Sequence, residues 1–480
     1  MMTACVILAA GLGKRMNSNL PKVLHKVCGT PMLQSVIDTA RKLKTGQIVV
    51  VTGKHDDLIK KALASPDISY ALQKEPKGTG HALMCAKQAL KSFQGILIVL
   101  NGDTPLVRAE TIKEFLKLHL KNKSAVSVLS FQTENPDNYG RIIRDASGQM
   151  LSIVEQKDAD AIQKKIHEVN SGVYAINHDL LPLLDNIKIN KNKGEYYLTD
   201  IVAAALENGL KTSAYCIGAE DEFMGVNTGE DLYRASMLMR KKLVEKWAGK
   251  GVTFLDMDSV FIHAGVTIGK DTTVYPNVYL EGRTKIGRGT TIYPNVRVLD
   301  SKIGNNVVIR DSTVIEGSTI KNRATVGPFA RIRPGSEIGT EARIGNFVEL
   351  KKTVIGKASK ASHLSYLGDT RIGQGVNIGA GTITCNYDGK KKSMTVIKEG
   401  VFIGSDSQLI APVTIGRGAY IGAGSTITKN VPPFALALSR VEQKTIKGWV
   451  KKRQTIIRTE TINKDKGQKG NHAKQKEKQR

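Results

Sequence analysis

Aromatic residues are scarce in this 480-residue chain, at 5% with two tryptophans. Stacked rings therefore cannot build its interior, and aliphatic side chains must fill it. Cysteine is sparse as well. Cys5, Cys28, Cys85, Cys216 and Cys385 are scattered, odd in number and form no Cys-x-x-Cys pair. That argues against a disulfide or zinc framework and for reduced thiols in a cytoplasmic protein. No apolar run approaches membrane-span length, so no membrane span is expected. The start, Met1 to Gly11, lacks a basic leader before its short apolar run, which reads as a strand and not as a secretory signal. Two common nucleotide loops are also missing. There is no Gly-Lys-Ser/Thr for a Walker loop and no third glycine for the dinucleotide fingerprint.

What is present begins with charge. The formal net charge of +27 points to anionic ligands or nucleic acid. Part of it lies in Lys464 to Arg480, a Lys- and Gln-rich stretch almost without aliphatics, which reads as a disordered tail. Nothing in that tail resembles an RNA-binding module, so nucleic-acid binding there is left open without support. The length exceeds what one core usually sustains, so two or more units are expected.

From residue 262 to 427 an aliphatic residue returns almost every sixth position. The runs are Ile262, Ile268, Val274, Leu280, Ile286, Ile292, Val298, then Ile303, Ile309, Ile315, then Ile320, Val326, Ile332, Ile338, Ile344, Leu350. They continue as Ile355, Ala361, Leu367, then Ile372, Ile378, and finally Ile397, Ile403, Leu409, Ile415, Ile421, Ile427. A period of six fits neither a helix nor a two-residue strand alternation. It fits a parallel β-helix of hexapeptides, with stacked aliphatics on the axis and small residues at the corners. Between Ile378 and Ile397 a polar stretch holding Cys385, Asn386, Tyr387, Asp388, Gly389 and three lysines breaks the rhythm. In a solenoid such an insertion becomes an outward loop, often on the binding face.

The first half instead alternates short apolar strands with helical stretches, implying parallel strands covered by helices and ligands at the strands' C-terminal ends. Thr30 reads as an N-cap with Pro31 at the first helical position, opening a helix to about Lys42. Helical stretches are expected from about Gly80 to Lys91 and from Glu110 to Lys121. Thr228 and Asp231 resemble a capping box opening a helical arm, Gly229 to Lys250. After the first strand, Gly11-Leu12-Gly13-Lys14-Arg15 offers backbone N–H groups and cations to phosphate. Asp103 stands just past a buried strand, where Mg²⁺ would need few carboxylates plus substrate oxygens. Alone, the Gly-x-Gly is equally a tight turn and Asp103 equally a turn cap.

Taken together these segments resemble a family. Leu8-Ala9-Ala10-Gly11-Leu12-Gly13-Lys14-Arg15-Met16 with Pro21-Lys22-Val23-Leu24 is similar to the signature of sugar-1-phosphate nucleotidyltransferases. Gln73, Gly78-Thr79-Gly80-His81-Ala82, Asn101-Gly102-Asp103, Tyr139-Gly140-Arg141, Val154-Glu155, Asn170-Ser171-Gly172 and Gly225-Val226-Asn227-Thr228 follow in that family's order. With the hexapeptides behind them, the whole resembles the bacterial bifunctional N-acetylglucosamine-1-phosphate uridyltransferase / glucosamine-1-phosphate acetyltransferases, over about residues 3 to 450. The resemblance implies an α/β, Rossmann-like nucleotidyltransferase domain followed by a left-handed parallel β-helix. It implies four segments: 1–228 for uridylyl transfer, 229–250 as helical arm, 251–437 for acetyl transfer, and 438–480 as C-terminal segment with the basic tail.

By the same resemblance, UTP is held by Leu8, Ala9, Ala10, Gly11, Lys22, Gln73, Gly78, Thr79, Asn101, Gly102 and Asp103. Gln73 and Gly78-Thr79 would read uracil, and Gly140, Glu155 and Asn170 would grip the sugar. Arg15 and Lys22 would stabilise the charge on the transferring phosphoryl group, and Asp103 with Asn227 would hold Mg²⁺. In the second domain His363 would be the base that frees the amine of glucosamine 1-phosphate to attack acetyl-CoA. Arg333, Lys351, Tyr366 and Asn377 would bind that sugar phosphate. Ala380, Asn386, Tyr387, Ser405, Ala423 and Arg440 would line the acetyl-CoA groove. The family forms homotrimers in which each acetyltransferase site is shared between β-helices. Two residues depart from its pattern: Lys14 where Thr is usual and Asn101 where an aromatic is usual. Two rival readings remain: other sugar nucleotidyltransferases with a β-helix tail, which lack the His363, Asn386-Tyr387 and Arg440 set, and a purely scaffolding β-helix, which the intact site positions in both halves oppose.

Overall fold

The computed structural model describes residues 2–190 and 194–477, with side chains through Lys464. In the N-terminal half the chain runs β1 (Thr3–Leu8), α1 (Met32–Lys42), β2 (Gln47–Thr52), α2 (Asp56–Leu63), β3 (Ile68–Leu72), α3 (Thr79–Ala86), β4 (Ile96–Asn101), α4 (Ala109–Lys121) and β5 (Val126–Gln132). It continues as β6 (Arg141–Arg144), β7 (Met150–Val154), β8 (Glu168–Asn177), α5 (Asp200–Glu207) and β9 (Thr212–Cys216). Seven strands form the main path in the order β9-β5-β8-β4-β1-β2-β3, and β6 with β7 extend it from β8. Val6, Val49 and Val99 point to one apolar layer and Cys5, Ile7, Val50 and Ile98 to the other, so both faces are buried. That explains why these strands read as unbroken apolar runs.

Strands β1, β2, β3 and β4 are parallel, but β8 is antiparallel to both β4 and β5. The expected parallel arrangement holds for β1 to β4 and ends at β8. The link from β5 to β8 carries the β6–β7 hairpin in place of a crossover helix, so the chain can return antiparallel. Thr30 is not an N-cap either. Lys26–Val27 and Thr30–Pro31 pair as a short antiparallel hairpin, which holds Thr30 extended, and α1 begins at Met32 without a side-chain cap.

The arm is α6 (Gly229–Ala248), and its N-terminus carries the full Thr228/Asp231 capping box. It bridges the two bodies physically. Ala235 packs with Val27, Met32 and Leu106 of the first, while Val244 and Trp247 join the core of the second. Burial pushes the Cys28 thiol beside it up to about 11, and all five cysteines are free thiols.

From Thr253–Phe254 to Leu436–Ala437 the chain winds through three parallel sheets of 11, 10 and 9 short strands, a three-sided parallel β-helix. The hexapeptide aliphatics stack in columns, as Ile262–Leu280–Val298–Ile315–Ile332–Leu350–Leu367, and each of these is buried. Corner hydroxyls are satisfied by the next coil: Thr353 Oγ1 donates to Leu367 O and Ser359 Oγ to Gly373 O, both at 2.7 Å. The polar insertion leaves the coil as a loop closed by a bridge between Tyr387 and Lys392. After it, α7 (Trp449–Glu477) is helical where composition suggested disorder. Lys, Gln, Glu and Arg have good intrinsic helix propensity, and described side chains from Glu442 to Lys464 are exposed, so local preference alone shapes this segment. The remainder of the tail, 478–480, lies outside the described residues.

Candidate active sites

The first site forms at the C-terminal ends of β1 and β4. Gly102 N donates to Leu8 O at 2.9 Å, pressing the Asp103 loop against the loop after β1. A Cβ on Gly102 would meet Ala9 Cβ and Leu8 O at 3.2 Å, so glycine permits this approach. Gly13 takes φ +62°, and a Cβ there would stand 2.7 Å from Lys22 Cβ. The Lys22 stem thus crosses directly beneath the loop. A cleft of about 770 Å³ results, lined by Leu8 to Arg15, Lys22, Gln73, Gly78, Thr79, Asn101, Asp103, Glu155 and Asn227. Arg15 also borders a wider opening with Tyr139, Glu155 and Asn227.

Within it, the Lys22 ammonium donates to Asp103 Oδ2 at 2.5 Å and to Asn227 Oδ1 at 3.0 Å. Asn227 is fixed by the arm, since its backbone N–H donates to Asp231 Oδ2 at 2.9 Å. One carboxylate and one amide oxygen therefore converge on a single cation position, with an ammonium standing in for the cation. Among the described residues no group of three or more His, Cys, Asp or Glu side chains is placed to hold a metal. That pattern suits Mg²⁺, which takes few protein oxygens and completes its shell with phosphate and water.

Gln73 Nε2 donates to Gly78 O at 3.0 Å and lies 3.0 Å from His81 Nδ1, while Thr79 Oγ1 accepts from Leu198 N at 3.0 Å. The edge expected to face the base is thus rigid. A smaller space of about 230 Å³ adjoins it, lined by Asn101, Asp103, Gly140, Glu155, Asn170 and Asn227 among others. Asn170 Nδ2 donates to the Tyr174 hydroxyl at 2.8 Å. Burial drives that hydroxyl far above its usual pKa, so it stays neutral. Asn101 lies over Gly172, where a Cβ would stand 2.2 Å from Asn101 Nδ2. Glu195 and Tyr197, which line the same cleft, were not anticipated, and no motif marks them.

On the β-helix, His363 closes the strand Lys360–His363 and is exposed. Its Nδ1 lies 2.7 Å from Asn346 Oδ1, one coil below. Donation from Nδ1 to that amide oxygen leaves Nε2 as the proton acceptor. Asn346 was missed in the sequence, although it sits 17 residues back, in direct register with His363. Asn386 is buried, and its Nδ2 donates to Asp369 Oδ2 at 2.5 Å, again 17 residues away. A Cβ on Gly368 would meet the Tyr366 hydroxyl at 2.6 Å and Asn386 Nδ2 at 2.9 Å, so this glycine lets the two side chains close together.

Arg333 Nη1 donates to Glu349 Oε1 at 2.9 Å. Lys351 faces Lys392 of the inserted loop, and that approach, through hydrogen bonding and charge, holds Lys392 below its ordinary pKa. Two ammonium groups so placed favour an anion between them. Ala380, Ser405 and Ala423 climb one corner: Asp406 N donates to Ala380 O at 2.7 Å and Gly424 N to Ser405 O at 2.8 Å. Arg440 continues the column, its Cδ 3.8 Å from a Cβ built on Gly424. Asn377 aligns with Lys360, three residues short of His363, and Tyr387 is exposed with its hydroxyl donating to Gly389 O at 2.6 Å.

An open α/β sheet with a cationic loop and a lone acid, joined to a hexapeptide coil bearing an oriented histidine, defines a two-domain transferase. The MobA-like NTP transferase domain family matches residues 5–178, and bacterial transferase hexapeptide repeats match 265–300 and 394–429. The second domain is accordingly a left-handed β-helix. The bifunctional protein GlmU of Thermodesulfovibrio yellowstonii is 49% identical over 449 residues, covering 94% of this chain and 99% of its own. That of Geotalea uraniireducens is 44% identical over 453 residues, with the same coverage. The chain belongs to the bifunctional GlmU family.

Proposed function

We infer that this enzyme performs two successive steps of UDP-N-acetylglucosamine synthesis. It acetylates glucosamine 1-phosphate with acetyl-CoA, then transfers UMP from UTP to N-acetylglucosamine 1-phosphate, releasing pyrophosphate. The observation that carries the reading is the meeting of Asp103, Asn227, Lys22 and Arg15 at one cleft, with a separate oriented His363 on the β-helix.

In uridylyl transfer a sugar-phosphate oxygen attacks the α-phosphorus in line, so the work is positioning and charge neutralisation. The cleft loop and Arg15 receive the phosphates, and Gln73 with Thr79 meets uracil. Gly140, Glu155 and Asn170 hold the sugar. Asp103 and Asn227 would hold Mg²⁺, which when bound would neutralise phosphate charge. In acetyl transfer Nε2 of His363 takes a proton from the amine as it attacks the thioester carbonyl, and the CoA thiolate leaves. Arg333 and Lys351 pair with the sugar phosphate. Ala380, Ser405, Ala423 and Arg440 lie along acetyl-CoA. Because His363 and Leu364 stand exposed, we assign the completion of this site to a neighbouring β-helix in a homotrimer. Among the described residues no helix is long and apolar enough to cross a membrane. Free thiols and membership of the bifunctional family support assigning the chain to the cytoplasm and to envelope precursor supply.

A coupled assay tests this. With glucosamine 1-phosphate, acetyl-CoA, UTP and Mg²⁺, free CoA thiol should appear without UTP, and pyrophosphate only once acetylated sugar is present. Pyrophosphate alone, with another sugar phosphate preferred, would leave the β-helix a scaffold.

A further inference from the structure

We propose that Lys22 is the resident counter-ion of the divalent-cation site, so that a metal enters only as the Lys22 ammonium swings out toward the nucleotide's phosphates. The proposal rests on the reading of Asp103 and Asn227 as the cation's ligands. One oxygen of each, Asp103 Oδ2 and Asn227 Oδ1, accepts from Lys22 Nζ, at 2.5 and 3.0 Å. Mg²⁺ binds oxygens at about 2.0–2.1 Å, which sets it in the space the ammonium fills, and two positive centres there would repel. Occupancy by one excludes the other.

The backbone of Lys22 is not free to withdraw. It opens a turn, Lys22–Leu24, whose Val23 and Leu24 are buried, and its side chain is only 11% exposed. The terminal ammonium is the part that can move. Gly13 abuts the root of its stem, where an added Cβ would stand 2.7 Å from Lys22 Cβ, and the side chain borders the same cleft as Gly11 to Arg15, which is the space open to the ammonium. The phosphates that recruit the metal are the anions that accept the displaced charge. One lysine thereby keeps the two ligand oxygens gathered before substrate arrives and neutralises phosphate afterwards. In the nucleotide-free enzyme the cation site is closed.

An ordinary structural ion pair makes the opposite forecast, since its loss would scatter the ligands and weaken metal binding. The test is titration of nucleotide-free protein with Mn²⁺, reading unbound Mn²⁺ by electron paramagnetic resonance. Lys22→Met should bind Mn²⁺ about tenfold or more tighter than wild type, the scale of one charged hydrogen bond removed from competition. Lys22→Arg, which keeps a cation in place, should stay as weak as wild type, and its thermal midpoint shows that the fold tolerates change here. Adding Asp103→Asn to Lys22→Met should abolish the gain. Equal or weaker binding in Lys22→Met, with Asp103→Asn loosening both backgrounds, overturns the counter-ion role and leaves the ligand assignment standing. Indifference to Asp103→Asn in every background overturns both.

Discussion

At the strand ends of the N-terminal sheet, Asp103, Asn227 and Lys22 come from three segments far apart in sequence, and Lys22 hydrogen-bonds to both of the others. On the β-helix, His363 reaches Asn346 one coil below, while Asn377 aligns in register with Lys360, three residues before His363. An open sheet gathers the loops at its strand ends, so a single chain can enclose its reactants. A solenoid gives each residue only the coils next to it. Groups in different columns meet through something outside the coil, which is the physical reason to expect the acetyl site to be shared.

The comparison breaks most visibly if the two sites are not independent. His363→Ala should lower acetyl transfer by about 10²–10⁴-fold, the usual contribution of a general base, and leave pyrophosphate release from supplied N-acetylglucosamine 1-phosphate unchanged. Thiol and pyrophosphate assays on one preparation check it; equal loss of both would join the sites. Asp103→Asn should have the converse effect, a loss of about 10²–10³-fold in uridylyl transfer, on the scale of one removed electrostatic contact. Acetylation should persist, and retained Mg²⁺-dependent pyrophosphate release would remove Asp103 from the ligand set.

A finer cut concerns Asn346, whose side chain meets His363 from one coil below. Asn346→Ala should lower acetyl-transfer kcat about tenfold, one orienting hydrogen bond's worth, with the KM for acetyl-CoA nearly unchanged. Asn346→Asp restores the acceptor and places a carboxylate beside the imidazole. That favours imidazolium, so the acid limb of the pH profile should move to higher pH. An unmoved limb would show that Asn346 only supports the fold.

Much of the β-helix was readable because its coil is local: Ile344, Ala361 and Ile378 stack in the register their spacing required. The capping box at Thr228 was legible for the same reason, its two partners standing three residues apart. Thr30 misled because a cap was inferred from its neighbours alone, while the hairpin with Lys26–Val27 competed for its backbone. The antiparallel return of β8 was hidden, since nothing in a buried apolar strand records its partner's direction. Asn346 and Asp369 were hidden differently. Each acts at a distance of 17 residues, and the one-residue slips in the hexapeptide rhythm blur which residue lies beneath which.

By itself the sequence determined the elements whose signal is local or periodic: six-residue coils, apolar strands, glycines beneath a cationic loop, and a capped arm. Tertiary structure alone decided what those elements bring together. It set Lys22 between Asp103 and Asn227, turned His363 onto Asn346, drew Asn386 to Asp369 and anchored Trp247 of the arm in the β-helix core. Periodicity and propensity act over a few residues along the chain, whereas charge pairing and hydrogen bonding depend on separations in space that only packing fixes.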